Sequence, residues 1–324
     1  MVKHSFLREF PISFFSIVMG LTGLTIAFQR AESILDVTNT FSTYILFIVT
    51  FIFLCILLLY FTKLVYFLPS VNEEFNNPVQ LSFFPTVSIS FLLLSIAFLE
   101  VNMEISKYLW MIGTLLHFIA TIAVLSIWIK QSKFEIHHFN PSWFIPIVGN
   151  IIVPIAGVRH FAPELSWFFF SIGIIFWIVL LTIFLYRIIF HHPIPEKLLP
   201  TFFILIAPPA VGFISYVNLN GTVDNFSRIL YYFALFLIIL LISQYKMFYK
   251  IKFYLSWWAY SFPIASVTIA TALIFKQTTI IFFKPLFFIL ISLLTLLVLI
   301  LLLYTIKAIL KGEIFAKEKQ PLKK

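Results

Sequence analysis

Ten runs of apolar residues follow one another along this chain, separated by short polar breaks. They fall at roughly 10–29, 41–67, 80–99, 107–129, 141–160, 164–189, 198–218, 226–249, 254–275 and 282–310. A helix rises about 1.5 Å per residue, so about 20 apolar residues cross the hydrocarbon core of a bilayer. The pattern predicts an all-α membrane protein of ten transmembrane helices. It forms one domain over 1–324, with about 10–310 embedded and 311–324 as a solvated tail. The first run follows Lys3 and Arg8 but has no small-residue cleavage site, so it reads as a retained span rather than a signal peptide.

The runs alternate in character. The first, third, fifth, seventh and ninth carry the interior prolines: Pro11, Pro85, Pro146 and Pro154, Pro200 with Pro208 and Pro209, and Pro263. Gly20, Gly23, Gly149, Gly157 and Gly212 sit in the same runs, along with many Ser and Thr. The even runs are continuous, and only the tenth has a proline, Pro285 near its start. Proline deletes a backbone donor and disturbs the carbonyl one turn earlier. Backbone freed in this way is tolerated at membrane depth only inside protein or against a water-filled cavity. Five broken helices alternating with five continuous ones therefore predict five αα-hairpins in a quasi-five-fold ring. The odd helices would line a central pore and the even ones would surround it.

Composition agrees and adds orientation. The chain is 61% hydrophobic and only 11% charged, against roughly 25% charged in soluble domains. If the N-terminus is cytoplasmic, 16 of the 22 Lys and Arg fall in inner loops and 6 in outer ones, with acidic residues split 7 and 6. The formal charge of +9 then lies wholly on the inner side, as the positive-inside rule requires. The basic excess reports topology, so nucleic acid is excluded as a partner. Both termini are expected in the cytoplasm, in the plasma (inner) membrane.

Four stretches carry a resemblance. They are Phe10 to Gly20 (FPISFFSIVMG), Asn140 to Asn150 (NPSWFIPIVGN), Ala207 to Gly212 (APPAVG) and Trp257 to Phe262 (WWAYSF). With these the chain resembles the tellurite-resistance/dicarboxylate transporter family, which includes the bacterial TehA channel and the plant slow-type anion channels. The resemblance implies ten helices in a five-fold arrangement of hairpins and a pore lined by the odd helices. It also implies homotrimeric assembly, passive conduction of anions, and an aromatic ring from the ninth helix that closes the pore. Phe262 stands at the matching position. Substrates vary across the family, so the particular anion does not transfer.

Candidate residues follow. Phe262, one residue before Pro263, is the expected gate, since hydrophobic constrictions close by steric occlusion and dewetting. Gly20, Pro85, Pro146, Asn150, Pro154, Pro208, Pro209, Gly212, Ser261 and Pro263 are candidates for lining the pore or kinking its helices. Asn150 could donate to an anion or bond across helices. Broken helices can also turn positive half-dipoles toward an anion without any buried cation. No Lys, Arg, Asp or Glu lies near the middle of a span. A proton-linked carrier of dicarboxylate, sulfite or tellurite, the alternative reading, has only His117 as a titratable group at depth. The pairs His137–His138 and His191–His192 lie in loops and give a weak metal signal. Cys55 reads as a small packing residue. No catalytic grouping, metal site or cofactor motif is expected. The expected partners are the lipid bilayer and small inorganic or organic anions.

Overall fold

The computed structural model describes residues 2–312 apart from 39, 132 and 133. Lys133 and the Lys-rich tail, which the charge count assigns to the inner side, lie outside the described residues.

Ten apolar helical spans appear, labelled here α1 (Ile12–Leu35), α2 (Thr40–Tyr66), α3 (Gln80–Phe98), α4 (Met103–Lys130), α5 (Pro141–Gly157), α6 (Pro163–Phe190), α7 (Glu196–Asn220), α8 (Asn225–Ser243), α9 (Leu255–Thr278) and α10 (Phe283–Leu310). Nine exceed the length needed to cross a membrane as single helices, and α5 is the short one. Its shortness has a local cause. The chain leaves the helix after Gly157 and turns through Phe161 at φ 57°, so the run expected to reach 160 stops early.

The odd spans share a construction. Each opens with a 3₁₀ turn and passes into an α-helix: Ile12–Phe14 into Phe15–Leu35, Gln80–Phe83 into Thr86–Phe98, and Pro141–Phe144 into Ile145–Gly157. The other two are Glu196–Ile206 into Ala207–Asn220 and Leu255–Tyr260 into Ser261–Thr278. Proline marks four of these junctions, and in α1 Pro11 precedes the 3₁₀ turn. Pro85 immediately precedes the α-helical part of α3, and Pro146, Pro208, Pro209 and Pro263 fall in the first turn of theirs. A proline in the first turn forfeits only an amide that has no partner within that helix. The breaks therefore gather at one end of the spans: Pro200 lies inside the 3₁₀ part of α7, and among the described residues only Pro154 stands in an α-helix interior.

Burial separates the two sets. In the apolar windows of α1, α3, α7 and α9, 72–83% of residues are buried, and in α5 every residue from Ile145 to Gly157 is. In the even spans the share is 28–33%. The irregular backbone is thus enclosed by protein, and the continuous helices present Leu58, Leu115, Ile178, Ile239 and Leu303 outward, as lipid-facing surfaces do. Cys55 is exposed on this outer surface of α2, so it meets lipid rather than packing inside the protein.

Contacts among the odd spans run α1 to α3, α3 to α5, α5 to α7, α7 to α9, and α9 back to α1. Each even span packs against the odd spans before and after it, and α10 packs against α9 and α1. Hydrocarbon supplies no hydrophobic drive between helices, so close approach and polar contacts must hold them. Gly23 lets α9 approach to within contact of Ala265. Gly149 on α5 leaves room for the imidazole of His117 on α4. That ring is fully buried, with Nε2 2.9 Å from the carbonyl of Pro146 and Nδ1 2.9 Å from Ser88 Oγ.

This fit gives a test. A methyl group at Gly149 would overlap the His117 ring, so Gly149→Ala is expected to destabilise the protein by about 1–3 kcal/mol. Leu115→Ala, on the lipid-facing side of α4, should stay within about 0.5 kcal/mol. Thermal unfolding in detergent distinguishes the two, and equal midpoints would show that the α4–α5 contact is not tight.

Candidate functional site

A cavity of about 240 Å³ draws its walls from all five odd spans. It lies at the end where their 3₁₀ turns meet their α-helices. Each span contributes a pair of residues three apart: Ser16 and Met19, Thr86 and Ile89, Ile145 and Val148, Ile204 and Ala207, Ala259 and Phe262. The identical spacing on five helices means that each presents an equivalent face. Met19, Ile89, Val148, Ala207 and Phe262 are the second members of these pairs, and Phe262 is the only aromatic among them. The α-helical segments of all five spans begin at these walls, so five positive helix ends converge there.

Three hydroxyls of the wall are engaged with backbone carbonyls. Ser16 Oγ donates to the carbonyl of Ser13 at 2.6 Å and Thr86 Oγ1 to that of Phe83 at 2.5 Å. Ser256 Oγ donates across to the carbonyl of Lys197 at 2.5 Å. These three hydroxyl protons are therefore not free to bind an anion. Phe262 is buried, and its ring stands 3.7 Å from where a Cβ on Gly23 of α1 would lie. The indole of Trp258, one turn earlier, donates to Thr305 Oγ1 of α10 at 2.9 Å and anchors the start of α9 to the outer helices.

Two charged side chains, Glu74 and Lys197, reach the cavity wall. Glu74 comes from a short helix, Leu68–Asn76, that follows α2. Both its oxygens are occupied: Lys63 Nζ lies 2.9 Å from Oε1, and Tyr60 OH donates to Oε2 at 2.9 Å. Lys63 also donates to the carbonyl of Phe10 at 2.9 Å. The sequence reading counts Lys63 as a loop cation. The structure instead buries it to 1% exposure, and its charge is offset beside the cavity mouth.

Among the residues singled out from sequence, Phe262 and Pro263 line the cavity. Gly20 faces Ser261 and Trp258 across the α1–α9 contact, and the Ser261 hydroxyl donates to the carbonyl of Trp258 at 2.7 Å. Gly212 faces Ile174 of α6 and Leu230 of α8. The Asn150 amide turns to α4, donating to Thr121 Oγ1 at 3.0 Å and to the carbonyl of Pro146 at 2.8 Å. Pro85, Pro146, Pro208 and Pro209 mark the 3₁₀-to-α junctions, and Pro154 sits deeper in α5. Near Pro154, Trp110 Nε1 donates to the carbonyl of Val153 at 3.0 Å and Ser215 Oγ donates to that of Ile151. The apolar members Met19, Ile89, Val148 and Ala207 were not singled out from sequence. The only signal that could have found them is their fixed register with one another from span to span.

The family model for the SLAC1 voltage-dependent anion channel matches residues 9–306, which includes all five cavity-lining spans. The chain belongs to the SLAC1 family. An uncharacterized transporter of Methanocaldococcus jannaschii is 28% identical over 96% of this chain and 98% of its own length. The S-type anion channel SLAH2 of Arabidopsis thaliana is 29% identical over 82% of this chain and 53% of its own length. The tellurite resistance protein TehA homolog of Haemophilus influenzae is 25% identical, covering 95% of this chain and 93% of its own. The SLAC1-family fold here is thus a multi-pass helical membrane protein whose relatives include anion channels.

The buried pair beside the cavity of this SLAC1-family chain can be tested. Glu74→Ala leaves the Lys63 ammonium buried and uncompensated, a change worth about 3–5 kcal/mol of destabilisation. The double variant Lys63→Met with Glu74→Leu should recover most of that loss. Thermal midpoints of the purified variants decide the matter, and a double variant no better than the single one would rule out the uncompensated charge as the cause.

Proposed function

We propose that this SLAC1-family protein is a passive anion-selective channel, or channel-like uniporter, for small anions. In this reading the five odd spans form a quasi-five-fold ring around a central pore, and the Phe262 ring closes it. The observation that carries the reading is a cavity walled by equivalent faces of all five odd spans, with Phe262 in the inner set. An apolar constriction blocks ions sterically and by excluding water. Anion preference comes from the five convergent helix ends and from a wall without an unpaired carboxylate, since both Glu74 oxygens are engaged. The protein is proposed to act as a homotrimer in the plasma membrane with both termini cytoplasmic, so that the cavity opens to the cytoplasm. The charge asymmetry of the loops supports that orientation.

A proton-linked carrier would need a titratable group in the path. His117 is sealed between α3, α4 and α5 and is not among the cavity-lining residues, which favours the channel.

The test is anion current through the reconstituted protein in planar bilayers. Phe262→Ala is expected to raise the current by about tenfold or more as the constriction is lost, and Phe262→Leu to raise it less. A Phe262→Ala current no larger than the parent's would remove Phe262 from the gate. A flux that collapses when the pH gradient is abolished would replace the channel with the carrier.

A further inference from the structure

Basic residues are not spread evenly around the cavity end of the spans. From Asn225 to Gly312 the chain carries no acidic residue. In that stretch Lys246, Lys250 and Lys252 fall in the connection between α8 and α9, and Lys307 falls in the last turn of α10. The other connections at this end hold acids: Glu73 and Glu74 between α2 and α3, Glu135 between α4 and α5, and Glu196 where α7 begins.

Packing gathers these lysines at one corner of the protein. The Phe253 ring stacks on Tyr304 of α10 at 5.5 Å, and Trp257 stands 5.9 Å from the same ring. Phe248 packs against Phe203 of α7 at 5.4 Å, and Ile251 is buried. The connection is therefore pinned beside the end of α10, where Lys307 follows Tyr304 by one turn. Lys250 and Lys252 are exposed on either side of Ile251, and Lys246 and Lys307 are exposed as well. Among the described residues, no carboxylate pairs with any of the four.

Apolar groups frame the charge. Tyr245 and Tyr249 are exposed between the lysines, and Lys250 Nζ stands 5.6 Å from the Tyr249 ring centroid. Ile242 at the end of α8 and Ile306 and Leu310 at the end of α10 are exposed too. Interleaved Tyr and Lys at the ends of lipid-facing helices match the boundary between headgroups and acyl chains. Lysines clustered beside a transmembrane helix attract anionic headgroups, each adding about fivefold in binding. A free anion would use the charge alone, whereas a phospholipid also covers the apolar rim.

We propose that Lys246, Lys250, Lys252 and Lys307 form a docking surface for anionic phospholipid in the leaflet on the cavity side, the cytoplasmic one in the orientation proposed above. The phosphates lie over the four ammonium groups, Tyr245 and Tyr249 sit at headgroup level, and the acyl chains run along the exposed ends of α8 and α10. Tyr254, Leu255 and Ser256 continue the same connection and line the cavity, so the surface adjoins it. The binding does not depend on conduction.

The test is thermal unfolding of the full chain in detergent micelles supplemented with phosphatidylglycerol. Phosphatidylcholine at the same mole fraction is the comparison, and inorganic phosphate is the free-anion arm. Phosphatidylglycerol is expected to raise the midpoint above that in phosphatidylcholine, and inorganic phosphate to leave it unchanged. The combined variant Lys246→Gln, Lys250→Gln and Lys252→Gln should weaken the apparent affinity for phosphatidylglycerol by about tenfold or more, and Lys307→Gln by about fivefold. Lys276→Gln, exposed at the opposite end of α9, should leave that affinity as it is. Lys250→Gln alone serves if the combined variant does not fold. An increment that is absent from the parent, equally large with inorganic phosphate, or unchanged in the lysine variants overturns the surface. A loss in Lys276→Gln as large as in Lys307→Gln overturns it as well, because net charge alone would then account for the binding.

Discussion

Hydrocarbon offers the backbone nothing to bond to, and the architecture of this protein follows from that fact. Five of the ten spans begin with a 3₁₀ turn that gives way to an α-helix near a proline. Such junctions leave amides and carbonyls imperfectly paired, and lipid would penalise each by several kcal/mol. The continuous helices α2, α4, α6, α8 and α10 therefore lie outside, and the junctions are enclosed. The repetition of the device matters as much as its presence. Because each junction occurs at the same end of its span, the disturbed backbone of five helices meets in one place, and the cavity is there.

Enclosure alone would not fix the helices, because apolar side chains gain nothing by leaving lipid for protein. Small residues and buried polar donors supply what is missing. Gly20, Gly23, Gly149 and Gly173 let neighbouring helices approach to contact. Around α5, where every residue from 145 to 157 is buried, donors from three helices converge on backbone carbonyls. His117, Thr121 and Asn150 reach that of Pro146, Trp110 that of Val153 and Ser215 that of Ile151. His117 also reaches Ser88, three residues after Pro85. It therefore ties the junction of α3 to that of α5 from behind the cavity wall. An ionisable residue at membrane depth reads as a functional group on general grounds; here its hydrogen bonds make it a brace.

Much of this was legible in the chain. The apolar runs gave ten spans, and the segregation of proline and glycine by parity anticipated which spans the protein encloses. What hid from the sequence was hidden for physical reasons. The pairing of Lys63 with Glu74 depends on a short helix folding back under the spans. Linear charge counting places both residues in a solvated loop. Asn150 reads equally as a ligand or as a cross-helix bond, and only the position of Thr121 on α4 decides its direction. The apolar lining residues look like any membrane side chain until the five spans are set in register. The prolines reveal that a span is broken. They do not reveal that the break is a 3₁₀ turn at its beginning rather than a kink at its centre.

The chemistry of the path follows from how little it holds. A channel must bind an ion strongly enough to admit it and weakly enough to release it. In the proposed channel the wall meets the second demand by turning the Ser16 and Thr86 protons back to carbonyls of their own helices and by pairing off Glu74 with Lys63. What remains for an anion in the proposed channel is the field of five helix ends together with Lys197 at the cavity wall. In such a path the aromatic ring and aliphatic side chains of the narrow part recognise no particular anion. Fixed charge is affordable outside that part. At the far end of the odd spans, where Arg159 pairs with Glu100 at 3.6 Å and both side chains are about half exposed, water reaches the charges and their cost is low.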